Sequence, residues 1–88
     1  MNVKELEEKL RSKLSEERSV ILYNDDVNTF EHVIQCLVLF CDHTPIQAEQ
    51  CANIVHNNGK CSVKKGNLLD LIPIKSALLV HKLNAEIE

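Results

Sequence analysis

The sequence predicts an α+β fold, a three-stranded sheet with three helices on one face, in the order β-α-α-β-α-β. A helical or flexible extension over residues 1–18 precedes it, and residues 19–88 form one domain. Three observations predict this class. A short β-branched apolar run, SVILY, opens the domain. A strong helix-start signal, Thr44-Pro45-Ile46-Gln47, follows in the middle of the chain and is closed by Asn57-Asn58-Gly59. Two short alternating segments, KCSVK and NAEIE, have strand period rather than helix period.

Each element has its own local reason. Val3, Leu6, Leu10 and Leu14 recur three or four residues apart, a narrow helical stripe with charge on every other side. So thin a stripe predicts a helix packed loosely on the domain, partly frayed, or laid against a partner. Residues 19–23 read as a buried strand, because β-branched and aromatic side chains suit a pleated surface. Asn24-Asp25-Asp26 ends it, and Asn28 or Thr29 caps the next helix, with Glu31 in its first turn. Val33, Ile34, Leu37, Val38, Phe40 and Cys41 give that helix a broad apolar face. The next helix is expected over 45–56, with Thr44 as N-cap, Pro45 at the first position and Gln47 completing a capping box. Residues 60–64 read as a strand with Cys61 and Val63 inward, and residues 65–67 as a turn in which Asn67 caps a helix. That helix is expected over 68–83, with a kink or restart at Pro73, which lacks a backbone donor. Residues 84–88 read as a last strand, with Ala85 and Ile87 inward.

Bulk properties narrow the function. The net charge is −3, which argues against nucleic acid as the main partner, since phosphate binding needs a basic face. No apolar run approaches the roughly 20 residues of a membrane span, and the N-terminus lacks a signal-peptide apolar region. A cytoplasmic location is expected. There the four cysteines, 36, 41, 51 and 61, read as small buried hydrophobes rather than disulfides.

The unusual feature is the corner Asn24-Asp25-Asp26. A metal site would recruit these acids, or Cys41, His43, Cys51 and His56, but those spacings match no zinc pattern. A nucleophilic enzyme would need Cys or Ser beside His56 and Asp25, and no such residue has a motif context. A plain turn explains one of the three residues, since Asn and Asp cap turns. The remaining reading is a cation. An ammonium has three donors and needs three acceptors. Asn24 offers an amide oxygen, Asp25 a carboxylate, and a neutral His56 one ring lone pair. These make a socket for a protonated amine if the strand corner and the helix end meet. Taken alone, His56 reads equally well as a surface residue ending a helix.

These residues carry a resemblance. Asn24-Asp25-Asp26, then Phe30, Glu31 and Val33, the run 48–55, and Val55-His56 with Gly59-Lys60 resemble the ClpS family over about residues 19–88. Members are adaptors that bind the free N-terminus of substrates starting with a large hydrophobic residue. They dock on the N-terminal domain of a Clp AAA+ unfoldase. The resemblance implies the same β-α-α-β-α-β fold, no enzymatic activity, no cofactor, and no nucleic-acid or membrane partner. It implies that Asn24, Asp25 and His56 hold the substrate α-amine. It places Asp26, Asn28, Phe30, Val33, Ala52 and Val55 in the wall of a side-chain pocket, with Leu83 at its rim. Lys75, Val27 and Asp70, the last beside Leu69, fall at unfoldase-docking positions. The chain departs from the usual pattern at three places. Asn28-Thr29 stands where many members have Thr-Pro, Phe30 where a Met often gates the pocket, and Ala52 where a larger apolar residue is common. The competing reading is a structural interaction domain of ribosomal-stalk-like fold, in which the acidic corner is only a turn.

Overall fold

A computed structural model describes all residues, Met1–Glu88. Seven elements follow in order: α1 (Val3–Ser15), β1 (Arg18–Tyr23), α2 (Phe30–Phe40), α3 (Pro45–Asn58), β2 (Lys60–Gly66), α4 (Leu68–Val80) and β3 (Asn84–Ile87). The expected class and order are therefore borne out. The sheet has the order β2-β1-β3, with both pairings antiparallel. β1 is central because its Val20 and Leu22 are fully buried while the strand is paired on both sides. A bulge between Val20 and Ile21 shifts the register against β2. It leaves Val63 as the one extra residue on β2, and the two residues by which β2 exceeds the expected 60–64, Lys65 and Gly66, pair with Ser19 and Arg18.

The core fills the space between this strand and the three packed helices. Cys36 and Leu37 come from α2, Ala48, Ala52 and Val55 from α3, and Leu71 and Leu78 from α4. Leu83 and Ala85 close it from the last strand and the turn before it. No polar or charged residue is buried. Cys36 and Cys41 are core residues, whereas Cys51 and Cys61 are only half-buried, and all four are free thiols. Burial pushes the Cys41 thiol up to about 12. Such a shift suppresses the thiolate that a cysteine nucleophile needs.

The helix ends follow local chemistry. The capping box forms: the Gln47 amide donates to Thr44 Oγ1 at 3.2 Å, and the Thr44 amide to Gln47 Oε1 at 2.9 Å. α3 runs to Asn58 rather than His56, and Gly59 stops it at φ 92°. Thr29, not Asn28, caps α2, accepting from the His32 amide at 3.1 Å. α4 continues through Pro73 without a restart. The carbonyl that loses its donor there belongs to Leu69, which is exposed, so water can satisfy it. The helix stops at Val80, three residues short of the expected 83. Lys82 adopts φ 71°, its amide donates to the Leu79 carbonyl, and the Leu83 amide donates to that of Leu78. This is a Schellman ending with a lysine in the position usually held by glycine. The contact of buried Leu83 with buried Leu78 offsets the cost of the left-handed residue.

α1 is a complete helix capped by Asn2, yet none of its residues is buried. Its stripe of Val3, Leu6, Leu10 and Leu14 is exposed, and the chain as a whole is elongated, 50 × 23 × 22 Å.

Gly59→Ala is expected to destabilise the fold by about 1–2 kcal/mol in chemical denaturation, because an L side chain is strained at positive φ. Nothing lies within 4 Å of a Cβ added there, so the whole cost is conformational. Gly66→Ala, whose Cβ would meet Leu71 at an ordinary 3.5 Å, is expected to change stability by less.

Candidate functional site

The site begins with one backbone hydrogen bond. The Asn24 amide donates to the Gly59 carbonyl at 2.9 Å, directly beyond the Tyr23–Lys60 strand pair. This joins the end of β1 to the end of α3, so the two corners inferred from sequence do meet. The left-handed Gly59 matters here because it turns the chain from α3 straight into β2, which pairs with β1.

A narrow cleft of about 30 Å³ lies at this junction, space for about two waters. Asn24, Asp25, Asn28, Val33, Ala52, Val55 and Leu83 line it, together with Leu22 and Tyr23. Seven of the residues expected from sequence thus come together. The expectation missed Leu22 and Tyr23, although both directly precede Asn24 and the signal was adjacency. Three expected residues lie outside the lining. Asp26 is exposed and makes no hydrogen bond or ion pair within the chain. Phe30, 38% exposed, lies one turn before Val33 and beyond the wall. His56 lies on the last turn of α3, exposed, directly after Val55, and its ring has no partner within the fold.

Asp25 does two things at once. Its Oδ1 accepts from the Val27 and Asn28 amides, both at 2.9 Å, and its Oδ2 accepts from Asn28 Nδ2 at 2.8 Å. The turn reading is therefore correct for this residue. A carboxylate has about four acceptor sites, so Oδ2 keeps one for a ligand. Burial pushes the Asp25 carboxyl up and is the largest single effect. The Asn28 and Val27 amides, the Asn28 side chain and the charge of His32 together outweigh it and hold the group below the ordinary carboxylate value. A depressed carboxylate stabilises the fold at neutral pH, and that contribution disappears only as pH falls through its lowered folded value.

Asn28 is more than a wall. Its Nδ2 also donates to the Lys82 carbonyl at 2.8 Å, tying the corner to the turn between α4 and β3. His32 does the same one turn into α2, its Nε2–H donating to the His81 carbonyl at 2.8 Å. Sequence reasoning missed His32, because its partner is a backbone carbonyl far along the chain and leaves no side-chain signature. Tyr23 donates its hydroxyl to Glu88, whose carboxylate, with some desolvation, raises the phenol above its ordinary value.

None of the three positions implied for docking lines the cleft, although Val27 lies between the lining residues Asp25 and Asn28. Val27 is 85% exposed, Asp70 is exposed in the first turn of α4, and Lys75 is paired with Glu86 at 3.1 Å. No three His, Cys, Asp or Glu side chains are grouped to hold a metal ion.

The fold and site define a small α+β sandwich with an apolar cleft whose mouth carries amide and carboxylate acceptors. Comparison with known proteins agrees on the fold and gives the family. The chain belongs to the ClpS family: the model described as "ATP-dependent Clp protease adaptor protein ClpS" matches residues 13–84. The chain is 33% identical over 78 residues to the E3 ubiquitin-protein ligase ubr-1 of Caenorhabditis elegans. That match takes in 85% of this chain but only 4% of the ligase. Among solved structures, Agrobacterium tumefaciens ClpS2 bound to L-phenylalaninamide superposes with a TM-score of 0.78 at 19% identity. The superposition covers 84% of this chain and 96% of that one, and it shows a common fold.

Asp25→Ala is expected to speed amide hydrogen exchange at Val27 and Asn28 by roughly tenfold or more, since each amide loses a charge-assisted partner. Asp26→Ala is expected to leave both unchanged.

Proposed function

We propose that this domain captures the free N-terminus of a protein or peptide whose first residue is large and hydrophobic. The observation that supports the reading is the hydrogen bond from Asn24 to Gly59, which joins the corner carrying Asn24 and Asp25 to the end of α3 beside an apolar cleft. The α-ammonium would be held by the Asn24 amide oxygen, the open site on Asp25 Oδ2 and a neutral His56 ring. The first side chain would enter between Val33, Ala52, Val55 and Leu83. The phenylalaninamide bound to the Agrobacterium relative has both required parts, a free α-amine and an apolar side chain, and so supports this reading. The domain acts by binding and carries out no chemistry.

For delivery, the family description favours a Clp AAA+ unfoldase as the receiver, docked through Val27, Asp70 and Lys75. The ligase match favours a second route, in which the same capture domain serves a ubiquitin ligase. The two separate in a degradation assay with a Leu-initiated fluorescent substrate and a Clp unfoldase–protease. Under the first reading the chain accelerates loss of signal, and Lys75→Glu reduces that acceleration while peptide affinity is unchanged. No acceleration despite intact peptide binding would favour the ligase route.

A peptide starting with Phe or Leu and carrying a free amine is expected to bind with micromolar or tighter affinity in a fluorescence titration. Burial of one large side chain contributes roughly 1.5–3 kcal/mol, and each charge-assisted hydrogen bond adds roughly 1.5–3. The same peptide acetylated at its N-terminus is expected not to bind. Equal binding of both forms would refute the amine socket.

His56 supplies the third acceptor through the lone pair of a neutral ring. His56→Ala is expected to weaken the free-amine peptide by roughly tenfold or more, the worth of one hydrogen bond to a charged group, whereas His56→Gln, which keeps an acceptor, is expected to lose less. Affinity of His56→Ala within twofold of the parent would remove His56 from the socket.

A further inference from the structure

The geometry points to Asn28 and His32 as the residues that set which first side chain the cleft accepts, by latching the α4–β3 turn across it. This inference rests on the capture reading above and concerns the selectivity of that same site. The cleft of about 30 Å³ admits about two waters, so a large side chain enters only if a wall yields. The walls differ in how firmly they are held. Leu22 is in the central strand, paired on both sides, and Ala52 and Val55 belong to a capped helix packed in the core. Leu83 is different, because it stands in the short connection between α4 and β3, directly after the left-handed Lys82.

Two side chains hold that connection from the opposite side of the cleft. Asn28 Nδ2 donates to the Lys82 carbonyl and His32 Nε2 to the His81 carbonyl, each at 2.8 Å. Both donors lie next to the amine-binding corner, and both acceptors lie next to Leu83. The width of the cleft is therefore fixed by two side-chain-to-backbone hydrogen bonds as well as by apolar packing. Asn28 also donates to Asp25 Oδ2, so one side chain ties the amine socket to the side-chain pocket. Releasing the latch should let the turn move outward and favour larger first residues over smaller ones.

The test is a titration of the full chain with three free-amine peptides that differ only in a first residue of Leu, Phe or Trp. The parent and the variants Asn28→Ala, His32→Leu and His32→Gln are compared. Asn28→Ala removes a bond to Asp25 as well as the latch, so it should weaken all three peptides alike and also move the Trp-to-Leu affinity ratio toward Trp. His32→Leu removes the second latch, and with it a 3.7 Å contact of the ring with Cys36 Sγ, but leaves the Asn28–Asp25 bond in place, so it should move the ratio the same way without the common loss. His32→Gln, which keeps a side-chain N–H, should restore the ratio of the parent. The expected change in ratio is about tenfold, the worth of one net hydrogen bond. A purely structural role would lower stability and overall affinity and leave the ratio in place. Ratios within twofold of the parent in both Asn28→Ala and His32→Leu overturn the inference. If the parent binds none of the three peptides, the capture reading itself has failed and the inference falls with it.

Discussion

The structure depends on the double pairing of β1. One six-residue strand must satisfy its backbone on two edges while burying Val20 and Leu22 against three helices. That requirement places β2 and β3 on either side and leaves the helices a single apolar face to cover. It also fixes where the strand ends. Beyond Tyr23 the chain has no further strand pair to make, and the Asn24 amide finds the Gly59 carbonyl instead. The junction of β1, α3 and β2 is thus a consequence of strand pairing, and the polar corner is carried into place with it.

At that corner, one carboxylate serves structure and, in the proposed function, recognition as well. Asp25 organises the loop with three hydrogen bonds and stays ionised because those bonds outweigh its desolvation. A fixed anion beside an apolar cleft suits a ligand with a cationic head and an apolar side chain, because neither partner needs to reorganise. Its neighbour Asp26 has the same chemistry and none of these partners. The difference between them lies entirely in position.

The α4–β3 turn shows how distant segments finish the site. Leu83 reaches the cleft because Lys82 turns left-handed, and the turn is held by Asn28 and His32, about fifty residues earlier in the chain. None of these contacts is local in sequence. They explain why α4 ends earlier than its apolar pattern suggests: the pattern continues through Leu83, but the last leucine packs as a helix stop.

The sequence by itself determined the class, the order of elements, and the capping at Thr44, Asn67 and Gly59, because each depends on residues a few positions apart. It also pointed to the polar corner and to most of the residues that line the cleft, through residue types that are costly to group without a purpose. Only the tertiary structure decided which acid is anchored, that Phe30 and Asp26 stand outside the cleft, and that His32 belongs to its support. Those outcomes hinge on backbone carbonyls at His81, Lys82 and Gly59. A carbonyl is the same in every residue, so a sequence cannot show which one a side chain or an amide will find.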